Sequence, residues 1–164
     1  MWLKGITDED FVNYKVPSMF IATAVCDFKC DRECGRPVCQ NAELAKADVV
    51  HTDDDYLIQR YMKNDITKAI VFGGLEPIDQ WQELWNFLQK LRLQYGCADP
   101  VVIYTGYTEE EIDGYVSLLR MMPNIIVKFG RFIPDQEPHY DEVLGVKLAS
   151  DNQHAVTLSR GRFS

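Results

Sequence analysis

Four of the five cysteines in this chain lie within residues 26–41, directly after the apolar run of residues 19–25. Thiols this close in sequence also lie close together in the folded chain, so the fold must place this loop where the thiols can share one site. Three kinds of site compete: disulfide bonds, a zinc site, and an iron-sulfur cluster held by thiolates.

The spacing of the cysteines favours the iron-sulfur cluster. Cys97 is remote and leaves an odd count, and the first residues do not resemble a signal segment, so disulfides are disfavoured. The spacings of three, three and four residues, with no histidine nearby, do not match the usual zinc motifs.

The length and charge of the chain limit the number of domains and the kinds of partner that we expect. A chain of 164 residues suits one compact domain, residues 1–164. The net charge of −8 argues against nucleic acid and anionic membranes as partners, and the apolar runs are too short to span a bilayer. Clustered free thiols lead us to expect a reducing, cytoplasmic location.

After residue 17, short apolar runs typical of strands alternate with segments of helical periodicity. Residues 1–17 are assigned neither a strand nor a helix. The strands are predicted at residues 18–26, 69–72, 101–105 and 125–129, and an edge strand at 154–158 precedes a short basic tail. The helices are predicted at residues 53–62, with Thr52 as N-cap, at 79–95, and after a capping box formed by Thr108 and Glu111.

This alternation predicts an α/β fold, because strands joined by helices pair in parallel through right-handed crossovers. We therefore expect a single-domain curved parallel sheet with flanking helices, smaller than an eight-unit barrel. The cysteine loop, Gly73-Gly74 and Thr105-Gly106 each follow a predicted strand. Carboxyl ends of parallel strands share one edge, so these three segments should converge there.

The cysteine loop resembles the signature of radical S-adenosylmethionine enzymes. The matching residues are Cys26 and Cys30, with Phe28 and Lys29 between them, and Cys39-Gln40-Asn41 behind. The resemblance implies a partial (β/α) barrel and a 4Fe-4S cluster held by three cysteines, whose fourth iron binds S-adenosylmethionine. Cys39 is preferred as the third ligand because many members continue with Cys-x-Asn, and Cys34 is the alternative.

A second match lies at Gly73, Gly74 and Glu76, which resemble the family's Gly-Gly-Glu motif for the amino group of the methionine moiety. Leu75 interrupts the motif in this chain. The resemblance implies that these three residues bind the cofactor, together with Tyr104, Thr105 and Asn152. It implies no catalytic residue beyond the cluster and the cofactor.

Within the superfamily, the chain most resembles the activating proteins of anaerobic ribonucleotide reductases. Matches to that family occur in order along the chain: residues 10–13, the cysteine loop, Gly-Gly-x-Glu-Pro, residues 104–108, 130–132 and 152–153. The enlarged cysteine loop, Leu75 and Phe129, where many relatives have an acidic residue, are departures from the pattern.

This resemblance implies that S-adenosylmethionine is cleaved to methionine and a 5'-deoxyadenosyl radical, which takes a hydrogen atom from a glycine of the reductase. It also implies an electron donor such as flavodoxin or ferredoxin. Two alternatives stay open. One is a radical enzyme that modifies another peptide or small molecule, and the other is a 4Fe-4S electron-transfer or regulatory protein without radical activity.

Overall fold

The computed structural model of the protein describes residues 1–159, and the predicted basic tail, residues 160–164, lies outside this range. The strands are β1 (Trp2–Asp10), β2 (Ser18–Thr23), β3 (Val50–His51), β4 (Ala69–Gly74), β5 (Val101–Tyr104), β6 (Ile125–Phe129), β7 (His139–Asp141), β8 (Val146–Leu148) and β9 (His154–Ser159). The α-helices are α1 (Lys29–Cys34), α2 (Ala42–Ala45), α3 (Asp54–Met62), α4 (Trp81–Gln89) and α5 (Asp113–Leu119). Single turns of 3-10 helix cover Pro77–Gln80 and Glu110–Ile112, and a π-helical segment, Lys90–Gln94, continues α4.

Seven strands form one mixed sheet in the order β3-β1-β2-β4-β5-β6-β9. The central strands β2, β4, β5 and β6 run parallel. Strand β1 is antiparallel to both β2 and β3, and β9 is antiparallel to β6. Strands β7 and β8 form a separate two-stranded hairpin.

The predicted fold, a curved parallel sheet with flanking helices that forms a partial (β/α) barrel, is wrong. Antiparallel strands border the parallel core on both sides, so the parallel series ends at β2 and β6. The described helices are few and short, four to nine residues each. The observed architecture is a small mixed sheet.

The two faces of this sheet are covered differently. On one face, α3, α4 and α5 pack against alternate residues of the parallel strands. Their buried side chains include Leu57, Leu88 and Leu119. On the other face, Tyr14 and the segment around the β7–β8 hairpin cover Val71, Val102 and Ile126. Beside the hairpin, on this second face, lies the cavity described below.

Several local predictions are confirmed. Strands occupy the predicted positions from residues 69, 101 and 125, and β9 is the predicted edge strand. The capping box is present, since the amide of Thr108 donates to Glu111 Oε2 (2.8 Å) and the amide of Glu111 donates to Thr108 Oγ1 (3.3 Å).

The predicted N-cap of the helix at residues 53–62 is wrong. Helix α3 is capped by Asp53 and not by Thr52, because the Asp53 carboxylate accepts the Tyr56 amide.

None of the helices in residues 1–159 combines the length and the apolar character needed to cross a bilayer.

Candidate functional site

A cavity of about 430 Å³ lies at the carboxyl ends of the parallel strands, on the face covered by the hairpin. The cysteine loop, the double glycine after β4 and the Thr-Gly pair after β5 all contribute to its wall, as expected for segments that follow parallel strands. Residues after β6 and from β8 complete it. The wall includes Cys26, Cys30, Cys39, Gly73, Gly74, Glu76, Tyr104, Thr105, Gly106, Lys128, Arg131, Phe132, Leu148 and Gln153.

The turn between Cys26 and Cys30 is fixed by hydrogen bonds to its backbone. The buried Gln80 side chain accepts the amides of Ala24 (2.6 Å) and Val25 (3.2 Å), which holds the chain just before Cys26. Phe28 adopts a left-handed backbone conformation, φ 57°, and its amide donates to Cys26 Sγ at 3.3 Å. Helix α1 begins at the next residue and carries Cys30.

Asp31 holds the lengthened part of the loop against α1. Its Oδ1 atom accepts the amide of Val38 at 2.7 Å and the amide of Cys39 at 2.8 Å. Gly35 ends α1 at φ 67°, which allows the chain to reverse there. Eight residues separate Cys30 from Cys39, but these two hydrogen bonds bring Cys39 back beside the start of the helix.

Cys26, Cys30 and Cys39 line the cavity, and Cys34 is not among its lining residues. Within residues 1–159, no three Cys, His, Asp or Glu side chains converge closely enough to hold a single metal ion. A 4Fe-4S cluster does not need such convergence, because each thiolate binds a different iron. Three half-buried thiols spread around one cavity therefore fit a cluster better than a mononuclear site.

Burial favours the protonated thiol form of Cys26 and of Cys30 in the absence of metal. Burial raises the pKa of Cys26 to about 11, although the Phe28 amide opposes the shift. Burial also raises the pKa of Cys30, and the Phe132 amide, Lys128 and Arg131 oppose that rise. Metal binding must remove these protons, so cluster assembly at this site is coupled to proton release.

The double glycine allows close packing at the end of β4. Gly74 has φ 79°, and a Cβ atom there would lie 2.8 Å from Leu44 Cδ2 and 2.9 Å from Ala22 Cβ. A Cβ atom on Gly73 would lie 3.0 Å from the Phe20 ring. Only glycine fits the conformation and the space at Gly74.

Glu76 lines the cavity and also stabilises the structure around it. Its Oε1 accepts the Ile78 amide (3.0 Å), which caps the 3-10 turn, and its Oε2 accepts the Gly106 amide (2.9 Å). Burial raises the pKa of Glu76 to about 7, although these two amides favour the ionised form. Glu76 thus links the ends of β4 and β5 at the cavity wall.

The other predicted cofactor residues lie at different depths. Tyr104 and Thr105 line the cavity, and Thr105 Oγ1 accepts the Tyr107 amide. Asn152 is not among the lining residues: its side chain donates to the Arg131 carbonyl at 2.7 Å and accepts from the Ser150 hydroxyl. Its neighbour Gln153 lines the cavity instead.

Three cationic residues in the cavity wall were not predicted as site residues, of which Lys147 is exposed and Lys128 and Arg131 are more buried. Lys128 is the one charged residue of the buried strand β6, and burial lowers its pKa to about 8. Arg131 makes a bidentate ion pair with Glu111 (2.8 and 2.9 Å), and its Nε atom lies 3.3 Å from Glu33 Oε1 of α1. It thereby ties the cysteine loop to the segment after β5. A charged residue inside an apolar strand was the available sequence signal for Lys128.

Three thiols around one cavity at the edge of a mixed α/β sheet suit an iron-sulfur cluster. The model of a family described as a 4Fe-4S single cluster domain matches residues 18–154, most of the chain. The chain belongs to this family. The matched range contains the cysteine loop and the segments after β4, β5 and β6 that form the cavity. Neither curated proteins nor solved structures gave a significant match.

Proposed function

We propose that this iron-sulfur protein is a radical S-adenosylmethionine enzyme. One observation carries the proposal: three cysteines, not four, line a cavity that also has about 430 Å³ of space beside the thiols. Ligand cavities for small molecules fall in the range of roughly 300 to 1,000 Å³. A cluster with only three protein ligands keeps one iron open to a second ligand in that space.

In this proposal Cys26, Cys30 and Cys39 hold the cluster. Glu76 and the backbone of Gly73 and Gly74 face the amino group of the ligand, since a carboxylate and carbonyl oxygens accept hydrogen bonds from an ammonium group. When both are bound, the cluster supplies the electron that cleaves S-adenosylmethionine to methionine and a 5'-deoxyadenosyl radical.

The protein's own contribution is binding, orientation and exclusion of water. Phe20, Phe132 and Leu148 give the cavity an apolar wall, while Glu76 and Lys128 supply opposite charges in it. A ligand that carries both an ammonium and a carboxylate group complements such a pair of charges.

We further propose that the reacting glycine belongs to an anaerobic ribonucleoside-triphosphate reductase. The support is the order of the matching segments along the chain. Residues 1–164 would act as one domain that receives its electron from a flavodoxin or ferredoxin. A radical enzyme acting on another peptide or small molecule has the same site and a different partner.

An electron-transfer or regulatory protein is the second candidate function. The description of the matched family favours it, because that description names a single 4Fe-4S cluster and no reaction. In this candidate the cavity beside the thiols has no reacting ligand.

Formation of 5'-deoxyadenosine separates the two candidates. The protein is reconstituted with iron and sulfide without oxygen, reduced with dithionite and supplied with S-adenosylmethionine. The proposal predicts 5'-deoxyadenosine in at least stoichiometric amount relative to the cluster, and none with Cys26→Ser as the matched control. A reduced, intact cluster that yields no product would favour the electron carrier.

A further inference from the structure

Lys128 places a positive charge in the interior of the protein. It lies in β6, whose five residues are all buried, and it is 7% exposed. Its strand neighbours Val127 and Phe129 are apolar and pack in the core formed with the helices. Lys128 faces the opposite side, where it lines the cavity with Cys30 and Glu76.

The ammonium group of Lys128 is incompletely satisfied. Nζ donates one hydrogen bond, to the Gly130 carbonyl at 2.8 Å. Its other contact is weak, since the centroid of the Tyr104 ring is 5.8 Å away, near the outer limit of a cation–π interaction. Among the ion pairs of residues 1–159, none involves Lys128. A buried ammonium without a counter-ion is unfavourable.

The negative groups that act on Lys128 also lie at the cavity. The carboxylate of Glu76 and the thiolate form of Cys30 both favour the charged form of Lys128, against the burial that disfavours it. Glu76 is already bound to the amides of Ile78 and Gly106. The cavity beside Lys128 could supply further negative charge, because a cluster held by three thiolates would carry a net negative charge.

We propose that Lys128 is the buried counter-ion of the iron-sulfur cluster and raises its reduction potential. Reduction adds one electron from a donor such as dithionite to the cluster and takes up no proton, so the negative charge of the cluster increases by one. A fixed cation stabilises the reduced form more than the oxidised form, and net charge is one of the factors that set such potentials.

This proposal depends on the cluster and not on S-adenosylmethionine chemistry. It holds equally for an electron carrier. Its test is therefore made without S-adenosylmethionine, and its outcome is independent of 5'-deoxyadenosine formation.

The experiment is a redox titration of the anaerobically reconstituted full chain, followed by electron paramagnetic resonance of the reduced cluster. The variants are Lys128→Met, which removes the charge at similar volume, and Lys128→Arg, which keeps it. Lys147→Met is the matched control, because Lys147 lines the same cavity but is exposed to solvent. Solvent screens an exposed charge far more than a buried one.

We expect Lys128→Met to lower the equilibrium constant for reduction at least tenfold, about 59 mV for a one-electron couple. Lys128→Arg and Lys147→Met should stay close to the wild type. A Lys128→Met protein with full iron content and an unchanged potential would overturn the proposal, as would an equal shift in Lys147→Met. If Lys128→Met holds no cluster, Lys128→Gln is compared with Lys128→Arg by the same criterion.

Discussion

Cys39→Ser should abolish stable binding of the 4Fe-4S cluster, whereas Cys34→Ser should leave cluster content unchanged. The reason is their placement: Cys39 lines the cavity with Cys26 and Cys30, and Cys34 does not. The fold-back of the loop onto Asp31 fixes this arrangement, since Asp31 holds the amide of Cys39 itself. Iron and sulfide content and the visible absorption of anaerobically reconstituted proteins measure the effect.

The two serine variants control for each other, because each removes one thiol from the same loop. A Cys34→Ser protein without a cluster beside an intact Cys39→Ser protein would reverse the assignment of the third ligand. Retention of the cluster by both single variants would mean that either thiol can serve as the third ligand. The double variant should then lose the cluster.

Gly74→Val should destabilise the protein by roughly 2 to 6 kcal/mol. A β-branched residue at φ 79° is strained by about 1 to 3 kcal/mol, and overpacking adds about 1 to 3 kcal/mol more. The overpacking arises because the new Cβ atom would lie 2.8 Å from Leu44 and 2.9 Å from Ala22. Urea unfolding of the metal-free, reduced protein measures the free energy of unfolding.

Gly5→Val is the matched control for this substitution. Gly5 also lies in a strand, β1, but a Cβ atom there meets nothing within 4 Å. We expect its free energy of unfolding to stay within about 1 kcal/mol of the wild type, the span of strand propensities. Equal stability of Gly74→Val and Gly5→Val would contradict the close packing described at the end of β4.

The parallel core could be predicted from sequence because its strands are buried on both faces. Ala69, Val71, Val101 and Val127, for example, are all fully buried, so these strands read as continuous apolar runs. Strand β1 gave no such signal: of its nine residues, only Leu3 and Asp10 are buried. The pairing of β1 with β2 depends on tertiary contacts and not on a local sequence pattern. Because this strand was not predicted, the sequence pattern favoured a parallel barrel over the observed mixed sheet.

Topology predicted that the segments after the parallel strands would meet at one site, but it did not predict every side chain that lines the site. Segments after parallel strands meet at one edge, which placed Cys26, Gly74 and Thr105 at one cavity. The position of Cys39 depends on two hydrogen bonds that Asp31 accepts from the amides seven and eight residues further along the chain. The spacing of the cysteines alone does not reveal them. Lys128 lines the cavity because its side chain lies on one particular face of β6. All five residues of this strand are buried, so the sequence shows no polar–apolar alternation that would predict the face.

A protein reconstituted with ⁵⁷Fe and studied by Mössbauer spectroscopy, with and without S-adenosylmethionine, tests the central claim most directly. The claim is that three thiolates hold a 4Fe-4S cluster whose fourth iron is open to a ligand in the cavity. The predicted result is a four-iron cluster in which one iron changes its spectrum when S-adenosylmethionine is added, while the other three do not. Four irons that are unaffected by S-adenosylmethionine at saturating concentration would contradict the account.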